Sequence, residues 1–137
     1  MYEEFGEGRP MIALHGLPVD HRLMKGCLEP VFSERNGWRR LYPDLPGMGQ
    51  TLGTDWIKNT DDMLHVVLEF IDAMIPGQSF IVAGESYGGY LAQGVIKDRP
   101  DMVEGLLLIC PMTVADYRRR RAPLHTTVVK DESLLDS

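Results

Sequence analysis

The chain has 137 residues, 44% of them hydrophobic and 25% charged, enough apolar content to close one globular core and too much for a disordered chain. Its formal net charge of -6 argues against a nucleic-acid partner, because neutralising a phosphate backbone needs a basic surface. Cys27 and Cys110 show no CxxC spacing and no histidine cluster beside them, so no disulfide framework and no metal site is expected, and both read as small core residues.

The start, Met1 to Phe5, lacks the basic and apolar parts of a signal peptide, and no apolar run approaches the length of a membrane span, so a cytoplasmic protein without a membrane partner is expected. Met11-Ile12-Ala13-Leu14 is a short apolar run closed by His15-Gly16, which predicts a buried strand and a tight turn. Asp20 can cap a helix whose apolar positions Leu23, Met24, Cys27 and Leu28 share a face; Pro30 should restart or kink it, and Asn36-Gly37 stop it. Trp38 to Tyr42 is a weaker strand, interrupted by arginines, and Pro43 to Gly49 is a loop dense in turn formers.

From Asp61 to Ile75 the residues Met63, Val66, Val67, Phe70, Ile71 and Met74 recur at helical spacing, ending at Pro76-Gly77. Phe80-Ile81-Val82-Ala83 is a β-branched strand, Ser86 to Asp98 a helix burying Leu91 and Val95, and Gly105 to Cys110 a further apolar strand. Strands that are apolar on both faces and separated by helices predict an α/β fold: three layers, α/β/α, around a mainly parallel sheet. The consecutive arginines Arg118 to Arg121 read first as a solvated face and second as an anion site.

Gly84-Glu85-Ser86-Tyr87-Gly88 carries the chemistry. Glycines two before and two after a serine are what a nucleophile on a sharp strand-to-helix turn needs, because a Cβ at either position would crowd the bend. His15-Gly16-Leu17-Pro18 is the second feature. A turn there can aim the Leu17 N–H, together with the Tyr87 N–H, at a developing oxyanion, and the helix beginning at Ser86 adds its positive end.

On Met11 to Gly16, Asp44 to Gly49 and Gly84 to Gly89, the sequence resembles the α/β-hydrolase superfamily over residues 2 to 113. The resemblance implies that Ser86 attacks the carbonyl carbon of an ester, amide or thioester, and that Leu17 and Tyr87 hold the oxyanion. No cofactor is implied, and the partner is a small-molecule acyl substrate. The Asp44 loop has mostly structural value in that family. The His15 turn also resembles those of epoxide hydrolases and haloalkane dehalogenases, which use an aspartate nucleophile where this chain has Ser86. Esterases, lactonases, aminopeptidases and carbon–carbon bond hydrolases remain.

Family members carry their acid and histidine after later strands, so the sequence reads as a truncated core lacking the last strands: residues 1–113 are an N-terminal portion of the core domain, and 114–137 begin a lid or form a partly disordered tail. Asp116 is a weak candidate acid. His65 and His125 are weak candidates for the base, His15 belongs to its turn, and His21 opens a helix. Glu85 precedes the nucleophile and is a minor candidate for contact with a substrate amine. The strand at 105–110 is expected to pair with another copy or with the missing C-terminal half. A ligand-binding or structural fragment without turnover is the alternative.

Overall fold

The computed structural model describes residues 1–121 and Thr126. Five strands, β1 (Tyr2–Phe5), β2 (Arg9–Leu14), β3 (Trp38–Pro43), β4 (Phe80–Glu85) and β5 (Val103–Ile109), form one sheet in the order β1-β3-β2-β4-β5. The β2–β3, β2–β4 and β4–β5 ladders are parallel and only β1 runs antiparallel, against β3. Three helices, α1 (His21–Phe32), α2 (Thr60–Met74) and α3 (Ser86–Asp98), make the crossovers.

Alternation along β2 assigns the layers. Ile12 and Leu14 face a core with Met63, Val67 and Ile71 of α2 and Leu91 and Val95 of α3, whereas Met11 and Ala13 face Met24 and Leu28 of α1. The sheet is thus covered on both sides, as the apolar runs predicted. Each fully buried aliphatic side chain in these layers contributes about 2 kcal/mol through removal from water.

The helix boundaries follow their caps. Asp20 accepts from the Arg22 N–H at 2.9 Å and Asn59 from the Asp62 N–H at 3.0 Å, satisfying donors that an unclosed first turn would leave open. Pro30, expected to restart or kink the helix, lies inside α1. It sits in the last turn, where its missing N–H costs one bond and few residues follow to be displaced.

Two expectations are corrected. Cys27 and Cys110 are exposed rather than core residues: Cys27 lies on the solvent side of α1, and Cys110 follows β5, an edge that no element covers among the described residues. For the same reason β5 is not buried on both faces, and Leu106 and Leu107 are each 40% exposed. Strand β1 went unforeseen because Glu3 and Glu4 break its apolar pattern. It is held instead by pairs such as Arg39 Nε to Glu4 Oε1 at 2.8 Å.

Candidate active site

β4 passes into α3 without a loop, and Ser86 stands at the junction with φ 49°. A non-glycine residue in the left-handed region costs on the order of 1 to 3 kcal/mol and persists only where its surroundings impose it. Here they do. A Cβ on Gly84 would strike the Gly88 carbonyl, and one on Gly88 would strike the Leu14 carbonyl, so the two glycines let α3 start against the ends of β4 and β2. Ser86 thus sits on a sharp strand-to-helix bend.

The turn after β2 lies against this bend: a Cβ on Gly16 would come within 2.9 Å of the Ser86 Cβ. His15, fully buried, fixes that turn. The Leu45 N–H donates to its Nε2 at 3.0 Å, so the proton sits on Nδ1 and is donated to the Gly16 carbonyl at 2.8 Å. With both nitrogens engaged, His15 is a structural pin between two loops and not a base. Leu17, next in the turn, is 55% exposed, and its peptide bond to Pro18 is cis.

Glu85, at the N-cap of α3, makes no side-chain capping bond, so the positive end of the helix is open beside Ser86. The Glu85 carboxylate lies against Gly16 instead. Tyr87 is half-buried, with its hydroxyl 3.4 Å from Thr60 Oγ1 at the start of α2.

The third wall follows β5. The Met112 N–H donates to the Ser86 carbonyl at 2.9 Å, and Gln93 Nε2 donates to the Met112 carbonyl at 3.3 Å, binding the strap after Cys110 to the elbow. Cys110 itself turns with φ 43°. Ser86, Cys110 to Val114, Arg120 and Arg121 line a cavity of about 400 Å³. The run of arginines predicts a solvated face. They are exposed, with Tyr117–Arg119 forming a single 3-10 turn, yet Arg120 and Arg121 share the serine's cavity, a proximity that no local pattern encodes.

The other candidates lie elsewhere. Asp116 accepts from the Arg118 N–H at 3.0 Å, capping that turn. His65 is exposed on α2 beside Glu69, at 3.3 Å. His125 lies outside the described residues. Among those described, no histidine hydrogen-bonds Ser86.

His21 and Asp44 form a second polar centre. Asp44 Oδ1 accepts from the His21 N–H at 2.9 Å and lies 2.7 Å from His21 Nδ1, Oδ2 accepts from the Gln50 N–H at 2.8 Å, and His21 Nε2 is 2.9 Å from Glu3 Oε1. Burial opposes charging of His21, but its hydrogen bonds to Asp44 and Glu3 outweigh this and hold the imidazole above its ordinary value. Burial alone would raise Asp44, yet the Gln50 and His21 N–H donors and the His21 ring bring it below its ordinary value. Asp20, His21 and Asp44 offer ligand atoms within 4.8 Å of one another, but the His21 nitrogens face Asp44 and Glu3 and Asp20 is taken by Arg22, so the ion cluster is Glu3, His21 and Asp44.

A profile of the alpha/beta hydrolase family matches residues 11–135. The chain belongs to that family. It is 26% identical over 133 residues to the (E)-2-((N-methylformamido)methylene)succinate hydrolase of Acinetobacter baylyi, a match spanning 97% of this chain and 48% of that protein. An alpha/beta superfamily hydrolase from Oenococcus oeni superposes with a TM-score of 0.85 at 34% identity, over 98% of this chain and 53% of that one. A thermophilic esterase from Thermogutta terrifontis, solved with malate bound, superposes with a TM-score of 0.73 at 25% identity, over 85% of this chain and 42% of that one. This hydrolase-family chain therefore spans about half the length of the relatives it matches. No helix among its described residues is long and apolar enough to cross a membrane.

Proposed function

We propose that the chain is the nucleophile-bearing part of a serine hydrolase that acts on a small-molecule ester, amide or thioester through an acyl-enzyme on Ser86. Ser86 Oγ adds to the carbonyl carbon while its proton passes to a base. The oxyanion is met by the backbone N–H groups of Leu17 and Tyr87, and collapse expels the protonated leaving group. Water then releases the acid. The observation that carries this reading is the left-handed Ser86 at the β4–α3 junction, set between Gly84 and Gly88 with Gly16 against it. The base and the acid are assigned to chain outside residues 1–121. Two exposed, unpaired thiols suit the reducing conditions of a cytoplasmic protein.

Incubation with a fluorophosphonate followed by intact-mass and peptide mapping tests the assignment. A single slow adduct on Ser86 is expected, absent in Ser86→Ala. Its rate should lie on the order of a millionfold below that of a complete triad, the usual consequence of a missing histidine. Labelling of another serine with Ser86 spared would sink the reading. The second reading, a ligand-binding or structural fragment, is favoured by the lack of a histidine on Ser86 among the described residues. It expects ligand binding with no adduct on Ser86.

A further inference from the structure

We propose that Arg120 and Arg121 form an anion subsite beside Ser86, so that the acyl substrate carries a carboxylate a few bonds from its reacting carbonyl. The inference rests on the reading of Ser86 as nucleophile and names its substrate class. Three observations support it. First, the lining of the cavity of about 400 Å³ contains Ser86 and both arginines but no aspartate or glutamate, on a protein whose net charge is -6. A volume of that order suits a small molecule held by a few polar groups.

Second, the Arg120 guanidinium is fixed in place. Its Nε donates to the Val114 carbonyl at 2.8 Å, and its Nη2 lies 3.2 Å from the Ala115 carbonyl and 3.0 Å from Met112 Sδ. That same strap is tied to the nucleophile by the Met112 N–H on the Ser86 carbonyl. The cation is therefore registered to Ser86 through two sets of bonds, and little of its rotamer freedom remains to be lost on binding.

Third, part of the donor capacity of these guanidinium groups is unspent among the described residues. Among the described residues Nη1 of Arg120 has no acceptor, and neither Arg120 nor Arg121 forms an ion pair; Arg35, Arg118 and Arg119 lack one too, but they lie outside the lining, whereas Arg9, Arg22, Arg39, Arg40 and Arg99 each have a carboxylate partner. A carboxylate accepts from a guanidinium in charge-assisted bonds, which neutral ester oxygens do not match. Among the described residues two neighbouring acids are otherwise placed: Asp116 caps the 3-10 turn and the Glu85 carboxylate lies against Gly16, outside the lining.

The test is a binding titration of the 137-residue chain by heteronuclear NMR, with monomethyl succinate against dimethyl succinate, one anionic and one neutral ester of matched length. The monoanion should bind about tenfold tighter at low ionic strength, and the preference should shrink as added salt screens it. Arg120→Gln/Arg121→Gln should abolish the preference. Arg118→Gln/Arg119→Gln, which removes the same charge from residues outside the lining, should keep it. Equal binding of the two esters by the unmodified chain overturns the subsite, and so does equal loss in both double variants, which would mark a diffuse field. Ser86→Ala should retain the preference. A preference shown by an unmodified chain on which fluorophosphonate leaves no Ser86 adduct supports the subsite while removing the hydrolase reading.

Discussion

When protonated, His21 donates from both ring nitrogens to carboxylates, and the pH dependence of stability should reveal it. Its folded pKa is raised above 6.5, so its contribution is complete below that value and fades as pH rises through the folded value. Asp44 and Glu3 behave oppositely. Asp44 is held below 3.8 as described above, and Glu3 below 4.5 by hydrogen bonds from Lys25 and then His21, so their contributions are complete above those values and fade as pH falls through the folded ones. The cluster is thus most stabilising between about pH 4.5 and 6.5. Thermal melts of the unmodified chain should decline on the alkaline side of that window, and His21→Gln should flatten the decline. Asp44→Ala, which strips a fully buried carboxylate from two backbone N–H groups and an imidazolium, should cost about 3 to 5 kcal/mol by chemical denaturation. None of this was legible in the sequence: His21 and Asp44 are 23 positions apart, and Glu3 sits in a strand with no apolar signature.

The elbow, by contrast, was legible because its cause is local. Two glycines and a serine at fixed spacing after a β-branched run specify a bend that few other sequences tolerate, and the same backbone contacts that require them set the cost of changing them. Gly88→Ala drives a Cβ onto the Leu14 carbonyl, which cannot yield without moving β2, so a loss of about 3 kcal/mol or more is expected in urea melts, with the fluorophosphonate adduct on Ser86 lost as well. Gly26→Ala is the matched control. It lies in α1 with nothing within 4 Å of its Cβ, and the gain in helix propensity should stabilise the chain by about 1 kcal/mol without changing the adduct. A Gly88→Ala protein that melts and labels like the parent would remove the packing explanation for the motif. Helices α1, α2 and α3 were readable for a similar reason, since caps and helical spacing are properties of neighbouring residues. What tertiary contact alone decides was not readable: β1, the solvent exposure of Cys27 and Cys110, and the meeting of the arginines with Ser86.

At the scale of the whole molecule the sheet is asymmetric. Its β1 edge is short and carries Glu3 and Glu4, both engaged in ion pairs, which discourages pairing with another chain. The β5 edge is longer and, from Leu106 on, apolar; among the described residues it is bonded to β4 on one side only, with Leu106 and Leu107 half out of the protein. An uncovered apolar strand presents backbone donors and acceptors in register for a second strand, and a net charge of -6 opposes association only through screened, long-range repulsion. A second copy should therefore dock on β5, and any strand that a longer chain supplied there would compete for the same edge. Sedimentation velocity at micromolar concentration should show a dimer or larger species, and added salt should increase it by weakening the repulsion. Leu107→Lys places a charge on the edge and should restore the monomer, with little effect on a core it barely enters. A sharp monomer boundary for the unmodified chain, unchanged by salt, would mean that the edge is covered by residues of the same molecule.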